Sequence, residues 1–391
     1  MEMLLESPAA ARAKKSGPAK SYLPQLDGLR GVAILAVIFH HFGFVPPGWM
    51  DWGPVGPNLF FALSGYLITL SLWKLRDKAD AERSGFGWLL TKFHARRMAR
   101  LLPAIVVLLA IGWLWGLPEY RESWAWHLTF LTNMLIVWNN AWVGSLSHFW
   151  SLSMQEQFYM LWPALLLVPR AFFPQAMLAV AISAGAFRLG CIWTGVPEFA
   201  RWFLLPGSLD AFAVGGLAAW MHRHGWGRIV NSEKWSGLFC AGALAALAFS
   251  RYLRYLPDTH PGTAAVEWFE CLFFCWLLLR LVGAPHSAAA RALTLRPLVY
   301  VGKVSYGVYV FHALIAVALS GWLASVGLTA THFTFVRAVV LSGISIAVAA
   351  ASWRWLEQPL GAWVRRLHRP VESWTMRAAS MFRSAPSGGA T

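Results

Sequence analysis

Arg30-Gly31-Val32-Ala33-Ile34-Leu35-Ala36-Val37-Ile38-Phe39-His40-His41 sets an arginine and a histidine pair at the two ends of one apolar run, directly after Asp27-Gly28-Leu29. A helix rises about 1.5 Å per residue, so this stretch carries His41 roughly 16 Å beyond Arg30. With Arg30 at a bilayer surface, that depth places the imidazole halfway across the hydrocarbon. An ionisable side chain is costly there and generally functional. The stretch predicts a membrane helix with chemistry inside it.

The rest of the chain agrees. Of 391 residues 57% are hydrophobic and only 13% charged, against about 25% charged in soluble domains. The 24 tryptophans and 25 phenylalanines suit a protein that needs aromatic anchors at two interfaces. A net charge of +15 raises the question of nucleic acid. The basic residues gather in separate loops and both tails, a pattern of membrane orientation and not of a nucleic-acid surface. Cys191, Cys240, Cys271 and Cys275 all lie in apolar runs and read as packing residues, so no metal site is expected. No small-residue cleavage pattern follows the first run, which is therefore expected to be a retained span.

Eleven apolar runs approach spanning length, near 30–46, 55–73, 101–117, 126–143, 148–169, 174–194, 203–221, 236–250, 264–283, 298–320 and 334–353. Lys/Arg-rich segments at the N-terminal arm, 74–100, 222–234, 291–296 and after Arg354 should be cytoplasmic. Both termini then lie inside and the number of crossings is even, which makes either 126–143 or 148–169 re-entrant or short. The expected fold is all-α, a polytopic integral membrane helical bundle of about ten transmembrane helices. A cytoplasmic arm (1–22), a transmembrane domain (23–365) and a disordered basic cytoplasmic tail (366–391) make up the chain.

Polar residues inside these runs carry the chemistry. Phe60-Phe61-Ala62-Leu63-Ser64-Gly65-Tyr66 offers Ser64-Gly65 for close helix approach. In Arg96-Arg97-Met98-Ala99-Arg100-Leu101-Leu102-Pro103 the arginines are three and four apart and can converge as a phosphate-binding cradle. In His148-Phe149-Trp150-Ser151-Leu152-Ser153-Met154-Gln155-Glu156-Gln157-Phe158-Tyr159 a carboxylate needs a partner. Asp210 and Glu357 are acids at the ends of other runs. Ser305, Tyr309 and His312 share one helical stripe.

These motifs, in this order and spacing, resemble the acyltransferase family 3 membrane proteins over roughly residues 21–360. The family's Arg-x10-His falls on Arg30 and His41, its Phe-Phe-x-Leu-Ser-Gly-Phe/Tyr on Phe60 to Tyr66, and its Arg-Arg-x-x-Arg-x-x-Pro on Arg96, Arg97, Arg100 and Pro103. Its His-x-Trp-Ser-Leu-x-x-Glu-x-x-Phe-Tyr matches His148, Trp150, Ser151, Leu152, Glu156, Phe158 and Tyr159. Its Gly-x-x-Ser-Tyr-Gly-x-Tyr-x-x-His runs from Gly302 to His312. Two positions depart from the pattern: Gln155 replaces a frequent second glutamate, and Ser208 stands where many members carry an arginine before Asp210. The chain stops soon after its last run, so the extra C-terminal domain of some members is expected to be absent.

The resemblance implies a bacterial O-acyltransferase of the cell (inner) membrane. It would move an acyl group, most often acetyl, from acyl-coenzyme A to a hydroxyl of a polysaccharide or glycosylated acceptor. No bound cofactor or metal is implied. His41 is the expected general base, with Glu156 orienting it or holding its charge as it becomes imidazolium, and Arg30 left with two roles, donor contact or oxyanion stabilisation. A covalent acyl-histidine stays open beside direct transfer. Arg96, Arg97 and Arg100 would hold the coenzyme phosphates. Ser64, His148, Trp150, Ser151, Tyr159, Asp210, Ser305, Tyr309 and His312 would face substrate. The alternatives are a proton-coupled transporter or a transmembrane acyl carrier, since buried ionisable groups serve those too.

Overall fold

The computed structural model describes residues 22–44, 52–82, 86–329 and 333–367; most of the expected arm and tail lies outside them. Among the described residues the fold is all-helical, 85% helix and no strand, as a chain must be when lipid offers its backbone no hydrogen bonds. The ten longest helices are α1 (Pro24–His41), α2 (Trp52–Glu82), α3 (Phe86–Trp115), α4 (Phe149–Leu161), α5 (Phe173–Thr194), α6 (Leu209–Arg223), α7 (Ser236–Leu253), α8 (Val266–Gly283), α9 (Arg296–Ser325) and α10 (Thr334–Ser352).

Among the described residues six helical stretches are long and apolar enough to cross a membrane: Val55–Ala81, Leu90–Trp115, Arg170–Thr194, Ser236–Leu253, Arg296–Ser325 and Thr334–Trp363. The expected count of about ten is not confirmed on that measure. The reason lies in the residues of the shorter helices. Helices α4 and α6 have 13 and 15 residues, while α1 carries Asp27 and Arg30 and α8 carries Glu267, Glu270 and Arg280. The run at 126–143 becomes two helices, Trp124–Leu128 and Thr132–Asn139, of five and eight residues. Neither can span, since a crossing needs about 20 residues.

Helix α1 starts at Pro24, where the missing N–H costs nothing, and Tyr22 donates its hydroxyl hydrogen to Asp27 Oδ2 at 2.6 Å. It stops at His41 instead of running to 46. His41 therefore stands exposed at a helix end, not in the middle of an unbroken span.

Helix α2 is the central element. Its spanning window is 78% buried, against 28–39% for the other five, which turn apolar faces such as Leu114, Ile182 and Leu238 outward. Two crossings bring backbones together at glycine. A Cβ on Gly65 would lie 2.0 Å from the Phe212 carbonyl oxygen of α6, and one on Gly302 of α9 would lie 1.8 Å from that of Asp27 of α1. Phe212 is stacked between Phe61 and Phe158, at centroid distances of 4.6 and 3.9 Å. We expect Gly65→Ala to lower the thermal midpoint in detergent by the equivalent of about 1–3 kcal/mol, the usual penalty of overpacking. Gly343→Ala, which meets nothing within 4 Å, should not. An unchanged midpoint for Gly65→Ala would remove the close α2–α6 crossing.

Candidate active site

Three histidines from distant parts of the chain converge. His41 ends α1, His148 precedes α4 and His312 lies on α9. The His41 and His312 rings are nearly parallel, 5.0 Å apart, and His41 Nδ1 is 2.8 Å from His312 Nε2. His148 stands edge-on to both, at 6.3 and 4.5 Å.

The hydrogen bonds fix the neutral tautomers. His312 Nδ1 is 2.8 Å from the Tyr309 carbonyl oxygen, which only accepts, so Nδ1 carries the hydrogen and Nε2 is the acceptor. His41 Nδ1–H then donates to that Nε2. The lone pair of His41 is left on Nε2. By the same logic His148 Nδ1 donates to the Ser145 carbonyl at 2.9 Å, and its buried Nε2 has no hydrogen-bond partner. Glu156, expected to orient His41, does not. His312 takes that place.

Glu156 is instead locked to Arg97. The Arg97 Nε lies 3.0 and 2.9 Å from its two carboxylate oxygens and Nη2 lies 2.5 Å from Oε1. A carboxylate 1% exposed needs such a fork. The guanidinium also rests over the Tyr159 ring at 3.4 Å. The three-arginine cradle does not form as expected. Arg96 is exposed and turns its Nε back to the Lys92 carbonyl, away from the cavity that Arg30, Arg97 and Arg100 line.

That inner cavity, about 140 Å³, is also lined by Ser64, Ser151, Gln155, Tyr159, Ser305 and Tyr309, and by no carboxylate. Gln155 donates to Ser64 Oγ at 2.7 Å and to the Tyr159 hydroxyl at 2.8 Å. Ser151 and Tyr309 share a 2.7 Å hydrogen bond, and Tyr309 also donates to the His148 carbonyl. Arg30 and His41 are eleven residues apart on one helix, or roughly 16 Å. Arg30 therefore stands too far from His41 to stabilise an oxyanion beside it.

His41 lines a second, outer cavity of about 580 Å³, together with Trp142, Trp150, Trp202, Arg254 and Tyr255. Pro57 borders both cavities. Phe61 of the inner wall meets Trp150 of the outer wall edge-on at 6.2 Å, so Trp150 belongs to the outer chamber.

Asp210 reaches neither chamber. It pairs with Arg188 at 2.7 Å, and Arg188 also lies 3.3 Å from Glu267 and donates to the Gly207 and Ala264 carbonyls. Arg188 of α5 thus supplies the cation that Ser208 lacks. The ladder continues through Arg254 to Glu270, which Arg251 and Asn58 also bind. The sequence reading passed over Arg188, Arg251, Arg254, Glu267 and Glu270. The signal was present, since Arg188, Glu267 and Glu270 interrupt apolar runs just as Glu156 does, and Arg251 and Arg254 directly follow one. Glu357, on a π-helical turn at Trp353–Glu357, is buried and accepts from Ser352 Oγ at 3.1 Å; such turns collect at functional sites.

A helical membrane bundle with three clustered histidines and an arginine-lined chamber defines a class, and comparison identifies it. Residues 23–354 match the family model of the acyltransferase domain (acyltransferase family 3), and the chain belongs to that family. It is 25% identical over 362 residues to the peptidoglycan O-acetyltransferase OatA of Listeria monocytogenes serovar 1/2a, covering 87% of this chain and 56% of that protein. It is 25% identical over 371 residues to the O-acetyltransferase OatA of Staphylococcus aureus (87% and 57%) and 28% identical to YrhL of Bacillus subtilis (87% and 55%). The chain thus spans a little over half the length of these relatives. No solved structure matches.

Proposed function

We propose that this protein is an O-acyltransferase that moves an acyl group, acetyl on the example of its relatives, from acyl-coenzyme A to a hydroxyl of a glycan. The observation that carries the reading is the His41–His312 pair, which leaves His41 Nε2 as a proton acceptor facing a chamber. The acceptor hydroxyl gives its proton to Nε2 while its oxygen bonds to the thioester carbonyl carbon. The carbon–sulfur bond breaks, and the departing thiolate takes the proton back from His41. His312 holds the imidazole and shares its charge.

The inner chamber, lined by Arg30, Arg97 and Arg100, suits a phosphate-bearing donor whose acylated arm reaches toward Tyr309 and the histidines. Ten crossings with both termini cytoplasmic fit the alternation of α1 to α10. In that arrangement the basic loops between α2 and α3, α6 and α7, and α8 and α9 all face the cytoplasm. Arg30 and Arg100 then lie toward the cytoplasmic side and His41 toward the outer side. The names of the relatives favour a glycan acceptor and speak against the transporter alternative.

The test uses purified protein in nanodiscs with radiolabelled acetyl-coenzyme A and cell-envelope glycan. Label in the glycan with an equal release of thiol is the expected result; neither donor binding nor thiol release would end the reading. In the same assay Arg100→Ala should raise the donor KM about 10- to 100-fold, the loss of a charge-assisted contact. Arg96→Ala should leave it unchanged, and equal effects of the two would dissolve the distinction between these arginines.

A further inference from the structure

The two chambers differ in charge and in lining. The charged wall residues of the inner chamber are Arg30, Arg97 and Arg100, with Arg97 held by Glu156 and Arg30 lying 3.4 Å from Asp27, both carboxylates standing outside the wall. In the outer chamber the arginines meet carboxylates: Arg254 lies 3.0 Å from Glu270 and 3.5 Å from Glu267, and Arg251 pairs with Glu270. Asp258 at the rim lies 3.3 Å from Arg201. An anionic ligand would gain little in a chamber whose cations are already neutralised.

What this chamber does offer is aromatic surface. Trp142 and Tyr255 are 58% and 71% exposed, large rings turned to an open chamber. Trp202 is held in place from both sides, its indole N–H donating to Glu198 at 3.0 Å and the Arg201 guanidinium resting over its ring at 4.8 Å. Trp142 is braced edge-on against Phe203 at 5.1 Å. Fixed, partly exposed indoles beside carboxylate acceptors are the surface that a pyranose requires. Its C–H face stacks on the ring and its hydroxyls donate to Glu198 and Asp258. The volume of about 580 Å³ falls within the ~300–1,000 Å³ of small-ligand sites.

We propose that the outer chamber is the acceptor site, that it takes an uncharged oligosaccharide stacked on Trp142, Trp202 and Tyr255, and that it presents one hydroxyl to His41. This rests on the O-acyltransferase reading above. Neutrality of the saccharide is the new element, together with the residues that select it.

The experiment follows tryptophan fluorescence and labelled acetyl transfer in nanodiscs, with chitotetraose, cellotetraose and maltotetraose as neutral probes and a hyaluronan tetrasaccharide as the anionic one. At least one neutral probe should quench fluorescence and bind ten times tighter than the anionic one or better. Trp202→Ala should raise its KM at least tenfold and Trp202→Phe should restore most of that, while the donor dissociation constant stays at the wild-type value in both. Quenching by none of the neutral probes, or tighter binding of hyaluronan, overturns the proposal. So does an unchanged acceptor KM in Trp142→Ala, Trp202→Ala and Tyr255→Ala. In each of these cases His41-dependent thiol release from acetyl-coenzyme A persists, so the acyltransferase reading stands. Loss of thiol release in the wild type instead removes both.

Discussion

His41→Ala is expected to lower acyl transfer by about 10²–10⁴-fold, the usual contribution of a positioned general base, with donor binding retained. The side chain sits exposed at the end of α1, outside the packed interior, so its removal leaves no cavity in the core and the variant should insert and elute as the wild type does. His312→Ala separates base from orienter. It keeps the imidazole of His41 but removes the acceptor of its Nδ1–H, so the ring is free to rotate and to change tautomer. The expected result is a fall in kcat smaller than that of His41→Ala, with donor KM unchanged. Transfer by His41→Ala at the wild-type rate, measured by thiol release and label in glycan, would take His41 out of the mechanism.

Arg188→Ala is expected to cost about 3–5 kcal/mol of stability, as when one partner of a buried ion pair is removed. Arg188 is 0% exposed, Asp210 1% and Glu267 3%. The substitution would strand the Asp210 carboxylate and two backbone carbonyls in the buried interior and leave Glu267 with Arg254 alone. Asp210→Asn strands less and should cost less, because Glu267 continues to balance the guanidinium. The measurement is the thermal midpoint by size exclusion after heating, in one detergent for all three proteins. A midpoint for Arg188→Ala within a degree of the wild type would show that the ladder from Asp210 to Glu270 carries no stability.

The helical class and most of the site were legible because polar residues inside apolar runs are few and conspicuous. His41, His148 and His312 were all singled out, yet their partnership was not. They come from α1, from the residue before α4 and from α9, and a pairing between residues 271 positions apart leaves no trace in local spacing. The assignment of Glu156 to His41 went wrong for the same reason. A carboxylate seeks the nearest guanidinium in space, and Arg97 was read only for its neighbours along its own helix. Spacing likewise put Arg96 in the cradle although its helix face turns elsewhere. The run at 126–143 had enough apolar residues to suggest a span. Its chain reverses at Phe130, in a left-handed conformation with φ of 58°, which no count of apolar residues registers.

The glycine contacts between α1 and α9 bear on how the molecule works over time. A Cβ at Gly28 would lie 1.8 Å from the Leu293 carbonyl oxygen just before α9, and one at Gly31 would lie 2.4 Å from that of Leu298. Backbones this close cannot rock or slide past one another. Arg30 and His41 ride on one of these helices, Ser305, Tyr309 and His312 on the other, so the spacing between the inner and outer chambers is set by a stiff spine. Carriers that alternate their access depend on bundles that do move against each other. In the proposed transfer, the acyl group would therefore pass between the chambers along a pair of helices that keep their distance.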